Sequence, residues 1–228
     1  MFGLFWTMLN PVLMMTVIAL VFSHLFRFSI ENFPVYFFTG NILFAFVVES
    51  TNNGLNSINE SSSLIKKVYI PKYLFPLSKM LSSFVNLFFA FIAMMLVMLA
   101  TGVPFHVTML LSPLLMIYLF LFIIGLSLIL ATLQVFFRDT GQLYSVITLA
   151  WMYLTPIFYP ASLLKGRLDV VLILNPLAHY ITYFRNIVLY NAVPSFNQNM
   201  TCLFIGLVFL AVGLIVFYRS QDRFILYI

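Results

Sequence analysis

The residue types that most often perform chemistry in proteins are few and scattered in this chain. The three histidines, His24, His106 and His179, lie far apart in the sequence. The six carboxylates are spread along the chain without forming a pair, at Glu31, Glu49, Glu60, Asp139, Asp169 and Asp222. The sequence has no G-x-x-x-x-G-K-[ST] loop, no H-E-x-x-H motif and no cysteine cluster. We therefore expect no enzyme activity, no metal site and no cofactor in this chain.

Positive charge is instead concentrated in one mid-chain stretch, residues 63–79, with the sequence SLIKKVYIPKYLFPLSK. Leu55, Ile58, Leu64 and Ile65 follow helical spacing, which predicts a helix that leaves the membrane and a short amphipathic helix ending near Val68. Pro71 and Pro76 then turn the chain back, because proline ends helices and biases its neighbours toward extended backbone. A cytoplasmic loop accounts for the lysines, whereas the exposed apolar and aromatic side chains indicate a docking surface for a soluble partner.

A second charged turn, VFFRDTGQLYSV, places Arg138 and Asp139 side by side between two apolar runs. Asp139 is expected to cap the helix that follows, with Gln142 completing a capping box.

The composition identifies the class of protein. The 228 residues are 63% hydrophobic and only 7% charged, with a mean hydropathy of +1.09, whereas soluble domains carry roughly 25% charged residues. Several uncharged runs reach the 18 or more residues that a helix needs to cross a bilayer. We predict an all-α integral membrane protein. Its basic character, with an isoelectric point near 9.4, reflects lysine and arginine near helix ends rather than nucleic-acid binding.

Six membrane spans can be drawn, at about residues 5–27, 35–54, 79–100, 108–133, 142–159 and 200–218, within a single domain of residues 1–228. Lysine and arginine are more frequent on the side that carries residues 63–79, which places both termini in the cytoplasm. On the outer side, residues 160–198 are too apolar for an ordinary loop and too interrupted for one span. Two short helices flanking Asn175 and Pro176, before the last span, fit this segment better.

Five motifs then occur in an order that resembles one family. They are FWTMLNP near the start, LIKKVYIPKYLFPLSKML, FFRD, YLTPIFYP and LNPLAHYITYFRNIVL. Together they resemble the permease subunit of ABC-2 type exporters, in the branch that exports O-antigen, capsule or teichoic acid chains. The resemblance extends over nearly the whole chain.

The resemblance implies a set of partners. The chain would work in the bacterial inner membrane as a homodimer, among membrane lipids, with two separate ATPase subunits that bind ATP and magnesium. Its substrate would be a lipid-linked polysaccharide. Residues 160–191 would form a pair of outer gate helices, and Arg138 and Asp139 would lie at the cytoplasmic mouth. Residues 59–76 would be the coupling region that seats in the ATPase, through Glu60, Leu64, Ile65, Lys66, Lys67, Val68 and Tyr69.

Aromatic side chains suit a sugar polymer because it presents CH faces as well as hydroxyl groups. The candidate lining residues of a path between two copies are Tyr36, Phe37, Phe44, Tyr153, Phe158 and Tyr159, and Arg185 is a candidate contact for an anionic sugar or a lipid phosphate. For each aromatic residue, packing in the core or against lipid is the alternative. For Arg185 the alternative is an anchor at the membrane interface.

Two other functions compete with this one. The same architecture could move a drug or a lipid, which the aromatic residues do not exclude. An integral membrane enzyme acting on lipid-linked sugars would need paired acidic residues at one interface, and the scattered carboxylates disfavour it.

Overall fold

A computed structural model of the chain describes residues 13, 30, 32–68, 70–163, 166 and 169–227. The helices are α1 (Phe33–Glu60), α2 (Ser62–Ile65), α3 (Leu74–Thr101), α4 (Ser112–Phe136), α5 (Thr140–Leu154), α6 (Asp169–Leu174), α7 (Pro176–Val188) and α8 (Phe196–Ser220). Short 3-10 segments at Val107–Leu111, Ala161–Leu163 and Gln221–Leu226 join or extend them. Within the described residues the chain is helical and contains no strand, in agreement with the predicted all-α class.

Four helices in the described part of the chain are long and apolar enough to cross a bilayer. They are Phe33–Glu60, Leu74–Thr101, Val107–Phe136 and Phe196–Leu226. They coincide with the second, third, fourth and sixth predicted spans, and α1 continues past residue 54 as predicted. The first predicted span, residues 5–27, lies outside the described residues except for Leu13. These four helices indicate a multi-pass membrane protein. The total of six membrane spans stays a prediction.

The fifth predicted span, residues 142–159, is shorter as a helix than expected. Helix α5 has 15 residues, about 22 Å at 1.5 Å per residue, against roughly 30 Å of hydrocarbon. It ends at Leu154 because Pro156 cannot continue the helix and biases the preceding residue, Thr155, to extended backbone. Residues 155–159 complete the segment as a bend.

Local signals in the sequence explain where several helices begin and end. Ser195 and Gln198 form a reciprocal capping box at the start of α8, with bonds of 3.3 and 3.2 Å between each side chain and the other residue's backbone N–H. At the end of α3, Gly102 adopts a left-handed conformation with φ of 71°, which glycine adopts without a steric penalty.

Antiparallel packing of α1 and α3 is visible in paired side chains at the end of the bundle that is predicted to face the cytoplasm. Glu49 accepts from Asn86 at 2.6 Å and Asn53 donates to Ser83 at 3.0 Å. Farther along, Glu60 pairs with Lys79 at 2.6 Å. In these pairs the residue number in α3 falls from 86 to 79 as the residue number in α1 rises from 49 to 60. The two helices therefore run in opposite directions.

Helices α4 and α8 pack in parallel at backbone distance. A side-chain carbon at Gly213 would overlap the backbone of Gly125, and one at Gly125 would overlap the backbone of Phe209. Small residues allow this approach, as is common between membrane helices. On α4, Phe122 is fully buried, and its ring lies 4.7 Å from the Phe209 ring of α8 and 5.8 Å from the Tyr180 ring of α7. The core therefore joins both long helices to α7.

Candidate functional site

Two regions at opposite ends of the bundle contain the residues singled out from the sequence, and they are called outer and inner after the predicted orientation. The outer region is formed by the start of α1, the bend at residues 155–160 and the helix pair α6 and α7. The inner region is formed by residues 59–76, the turn at Arg138 and Asp139, and the end of α8.

At the outer end, Asn175 joins α5 to α7. Its side-chain oxygen accepts from Leu177 N at 3.1 Å, which caps α7, and from Trp151 Nε1 at 2.8 Å. Its side-chain nitrogen donates to Thr155 Oγ1 at 2.9 Å. The two helices that flank Asn175 and Pro176 were predicted from the sequence, and α6 and α7 confirm them. The bonds from Asn175 to α5 were not foreseen, because they link residues about 20 positions apart.

Arg185 lies inside this region and is 4% exposed. Its Nη1 donates to Tyr36 Oη at 2.8 Å and to Pro156 O at 2.7 Å, and its Nη2 donates to Tyr36 O at 3.2 Å and Ile157 O at 3.3 Å. The guanidinium also stacks on the Tyr36 ring, 3.5 Å from the ring centre. One side chain of α7 thus ties together the start of α1 and the bend after α5.

The acceptors around Arg185 are carbonyl and hydroxyl oxygens, and no described carboxylate pairs with it. Burial lowers the pKa of Arg185 to about 10, so the guanidinium stays charged at neutral pH. Among the described residues, its Nε finds no hydrogen-bond partner. A neighbouring cavity of about 420 Å³ is lined by Ile30, Tyr36, Pro160, Ala161, Thr182, Arg185, Asn186 and Tyr190.

Burial bears on four residues of the predicted substrate path. Tyr36, Phe37, Phe44 and Arg185 are between 1% and 7% exposed, so their side chains pack within the chain. Tyr36 and Arg185 also line the cavity of about 420 Å³, and the part of these residues in a path between two copies stays a prediction. Apolar burial against neighbouring helices is more favourable for these rings than exposure. Phe37, for example, stacks on Phe158 at 5.4 Å.

The other three predicted path residues are at least partly accessible. Tyr153 is 63% exposed on α5, whereas Phe158 and Tyr159 are half-buried in the bend that follows. Tyr159 donates to Tyr153 O at 2.6 Å and accepts, through its backbone oxygen, from Tyr36 Oη at 3.0 Å. Their role as a substrate surface stays a prediction.

At the inner end, residues 59–76 form a projecting turn. Helix α2 has four residues and is followed by turns through Val68. Leu64 and Val68 are 44% and 49% exposed, and Lys66 and Lys67 are also exposed. Tyr69 lies outside the described residues. Glu60 forms an exposed ion pair with Lys79 at 2.6 Å. Such a pair contributes at most about 1 kcal/mol to the stability of the fold.

Ile65 differs from its neighbours because it is 8% exposed. It packs with Ile58 of α1, with residues of α4 and with Phe217 and Phe224 at the end of the chain. Its side chain is therefore unavailable to a partner, which corrects its place among the predicted docking contacts. The short helix α2 turns this one apolar residue inward and leaves Leu64 outward, and Val68 in the following turn is also exposed.

Arg138 and Asp139 are both exposed in the turn between α4 and α5. Asp139 occupies the N-cap position before α5 without a side-chain capping bond, so the predicted capping box with Gln142 is wrong. Gln134 performs this task instead, since its Oε1 accepts from Gly141 N at 2.9 Å and its Nε2 donates to Arg138 O at 3.1 Å. Cavities of about 380 and 450 Å³ adjoin Arg138 on either side.

Two contacts at this end were not foreseen. Lys72 Nζ donates to Gln221 O at 2.6 Å, and Phe224 is fully buried in the cluster that contains Ile65. The sequence by itself explains Lys72 only as a signal of membrane orientation. Nothing in the local pattern connects it to a residue 149 positions later.

Comparison with known proteins places this arrangement in a family. The chain is 28% identical over 226 residues to the O-antigen export system permease protein RfbA of Myxococcus xanthus, covering 97% of this chain and 86% of that protein. It is 26% identical over 225 residues to a protein of the same name from Klebsiella pneumoniae, with 98% and 86% coverage. The capsule polysaccharide export inner-membrane protein CtrC of Neisseria meningitidis is 25% identical over 225 residues, with 95% and 83% coverage.

The family model for ABC-2 type transporters matches residues 1–189. That range contains α1 to α7, including the inner turn after α1, the Arg138 turn and the outer helix pair. With most of its length matched, this chain belongs to the ABC-2 type transporter family.

Proposed function

We propose that the chain is the transmembrane permease subunit of an ATP-driven exporter that moves lipid-linked polysaccharide, such as O-antigen, across the bacterial inner membrane. The observation that carries the proposal is the alignment with O-antigen export permeases over nearly the full length of the chain. Membership of the ABC-2 family supports a transport subunit rather than an enzyme. ATP and magnesium then belong to a separate ATPase subunit, and two copies of each subunit form the exporter.

The proposed ATPase docking surface is the exposed part of residues 59–76. Leu64 and Val68 supply apolar contacts, and Lys66 and Lys67 supply positive charge beside them. Tyr69 stays part of the predicted surface. An apolar patch outside the membrane, rimmed by charge, is typical of a protein contact. Ile65 contributes by anchoring the turn to the bundle, and Arg138 and Asp139 line the cytoplasmic mouth nearby.

The proposed orientation has this end in the cytoplasm, with both termini on that side. The basic residues at the inner end, Lys66, Lys67, Lys72, Lys79, Arg138, Arg219 and Arg223, support it by the positive-inside rule. The outer helix pair α6 and α7 then forms the gate on the opposite side, with Arg185 holding it closed against α1 and the bend after α5. Tyr153, Phe158 and Tyr159, which are at least partly exposed, are the proposed aromatic contacts of the polymer.

Co-purification tests the proposal directly. Tagged chain extracted from its native membrane is expected to bring down a P-loop ATPase in equal amount. The pair of substitutions Leu64→Asp and Val68→Asp should reduce ATPase recovery by about tenfold, since loss of about 1.4 kcal/mol of apolar contact is a tenfold change in affinity. Ile225→Asp, an equally exposed apolar position at the chain end, is the matched control. Absence of an ATPase with the unmodified chain would rule out the proposal.

The substrate class is tested in cells that lack this chain. We expect polysaccharide to disappear from the cell surface and lipid-linked polymer to accumulate inside, with both effects reversed by the unmodified chain. Normal surface polysaccharide together with altered drug resistance or lipid composition would instead support export of a drug or a lipid.

A further inference from the structure

The segment Gln221–Leu226, which follows α8, contacts the coupling region, residues 59–76, in two separate places. The first is the hydrogen bond from Lys72 Nζ to Gln221 O, at 2.6 Å. Gln221 directly follows the last residue of α8 and begins the 3-10 segment Gln221–Leu226, at the end of the helix where the dipole is negative. Lys72 therefore supplies a positive charge to the end of α8 from a distant part of the sequence.

The second contact is apolar. Ile65 and Phe224 belong to one buried cluster that includes Ile58, Val135 and Phe217. The Phe224 ring meets Phe217 edge to face at 5.3 Å and Phe136 at 6.0 Å. Phe224 is the one buried residue of the segment Gln221–Leu226, and the adjacent Ile225 and Leu226 are 53% and 78% exposed. The 3-10 segment after α8 thus buries this single ring beside the coupling region.

Helix α8 extends from these contacts to the outer gate. It packs on α4 at backbone distance through Gly125 and Gly213, so the two helices have little freedom to slide. At its other end, Asn199 accepts from Tyr183 Oη at 2.9 Å, and Cys202 O accepts from Tyr180 Oη at 2.9 Å. Both tyrosines lie on α7, which also carries Arg185.

We propose that the segment Gln221–Leu226 holds residues 59–76 and α8 together, so that they move as one rigid body. Displacement of the coupling region by the ATPase is then transmitted through α8 to helix α7. Lys72, Ile65 and Phe224 are positioning residues in this device. The inference rests on the proposed function, because it requires an ATPase that displaces residues 59–76.

The test compares coupling with assembly. The complex of the full chain with its ATPase is purified with Lys72→Met, Lys72→Arg or Phe224→Ala, and the same variants replace the chromosomal copy in the producing cell. The measurements are ATPase recovery, thermal unfolding, ATP hydrolysis by the purified complex and polysaccharide on the cell surface. Arg219→Met and Ile225→Ala are exposed controls that remove a charge and an apolar side chain at the same end.

We expect Lys72→Met and Phe224→Ala to retain ATPase recovery and hydrolysis while export per ATP hydrolysed falls about fivefold or more, the lower end of typical coupling energies. Lys72→Arg keeps a charged donor for Gln221 O and is expected to restore at least half of the export. The controls should match the unmodified complex. If Phe224→Ala fails to fold, Lys72→Met and its arginine counterpart decide the outcome.

Three results would overturn the inference: unchanged export per ATP in Lys72→Met, equal defects in the methionine and arginine variants, or loss of export only in proportion to loss of folded complex. Failure of the proposed function has a different signature, since no ATPase would then accompany the unmodified chain.

Discussion

Gly40 of α1 and Arg185 of α7 occupy adjoining space, because a side-chain carbon at residue 40 would lie only 2.9 Å from Arg185 Nη2. The missing side chain lets the guanidinium reach Tyr36 O one helical turn earlier, at 3.2 Å. The two residues therefore form one structural unit although they are far apart in the sequence. Replacing either one disturbs the same hydrogen-bonded junction.

The first prediction is a double-mutant cycle at this junction. Arg185→Met leaves buried carbonyl and hydroxyl oxygens without a donor, which should destabilise the protein by about 3 kcal/mol or more. Gly40→Ala alone should also destabilise it, by about 1–3 kcal/mol, since it presses on the guanidinium. In the Arg185→Met background the alanine should cost clearly less. Thermal unfolding in detergent gives the energies, and strict additivity would show that the two residues act separately.

A second prediction concerns the Asn175 junction between α5 and α7. Asn175→Ala removes the α7 cap and the acceptor of the Trp151 indole, which should destabilise the protein by about 2 kcal/mol. The chain has two tryptophans, so Trp6→Phe leaves Trp151 as the reporter, and its emission should shift when the bond to Asn175 is lost. Asn175→Asp keeps the acceptor and should preserve the emission while losing the bond to Thr155. Identical emission in all three proteins would contradict this role for Asn175.

The third prediction tests the close packing of α4 on α8. Gly213→Ala should destabilise the protein by about 1–3 kcal/mol, the usual cost of overpacking, because the new carbon meets the backbone of Gly125, which cannot move aside as a side chain can. Gly141→Ala is the control, as its new carbon would be 3.7 Å from its nearest neighbours, and alanine is favoured over glycine in a helix. Thermal unfolding of both variants makes the comparison. Equal stability of the two would mean that the helices are not in backbone contact.

The fourth prediction is the orientation in the membrane. With Cys202→Ala as background, single cysteines at Ser63 and Ser162 occupy exposed positions at opposite ends of the bundle. A membrane-impermeant maleimide should label the cysteine at residue 162 in intact spheroplasts. It should label the cysteine at residue 63 only after permeabilisation. The reverse pattern would place residues 59–76 outside and remove their proposed ATPase contact.

Much of the fold could be predicted from the sequence because its signals are local. Long uncharged runs define where α1, α3, α4 and α8 cross the membrane, since hydrocarbon excludes unpaired polar groups. Asn175 and Pro176 predicted the break between α6 and α7, because a proline restricts its own backbone and that of the residue before it. The segment proposed to dock the ATPase stands out in the sequence through its charge and helical spacing.

Only the tertiary structure decided what individual side chains do within these elements. Arg185 and Phe37 resemble accessible path residues in the sequence, yet both are buried because neighbouring helices cover them. Ile65 and Leu64 are adjacent apolar residues, and packing against Phe224 turns one inward while the other stays exposed. Hydropathy determines that a residue leaves water, whereas the choice of its partner depends on which distant elements the fold brings together. Lys72 and Gln221 meet for that reason alone.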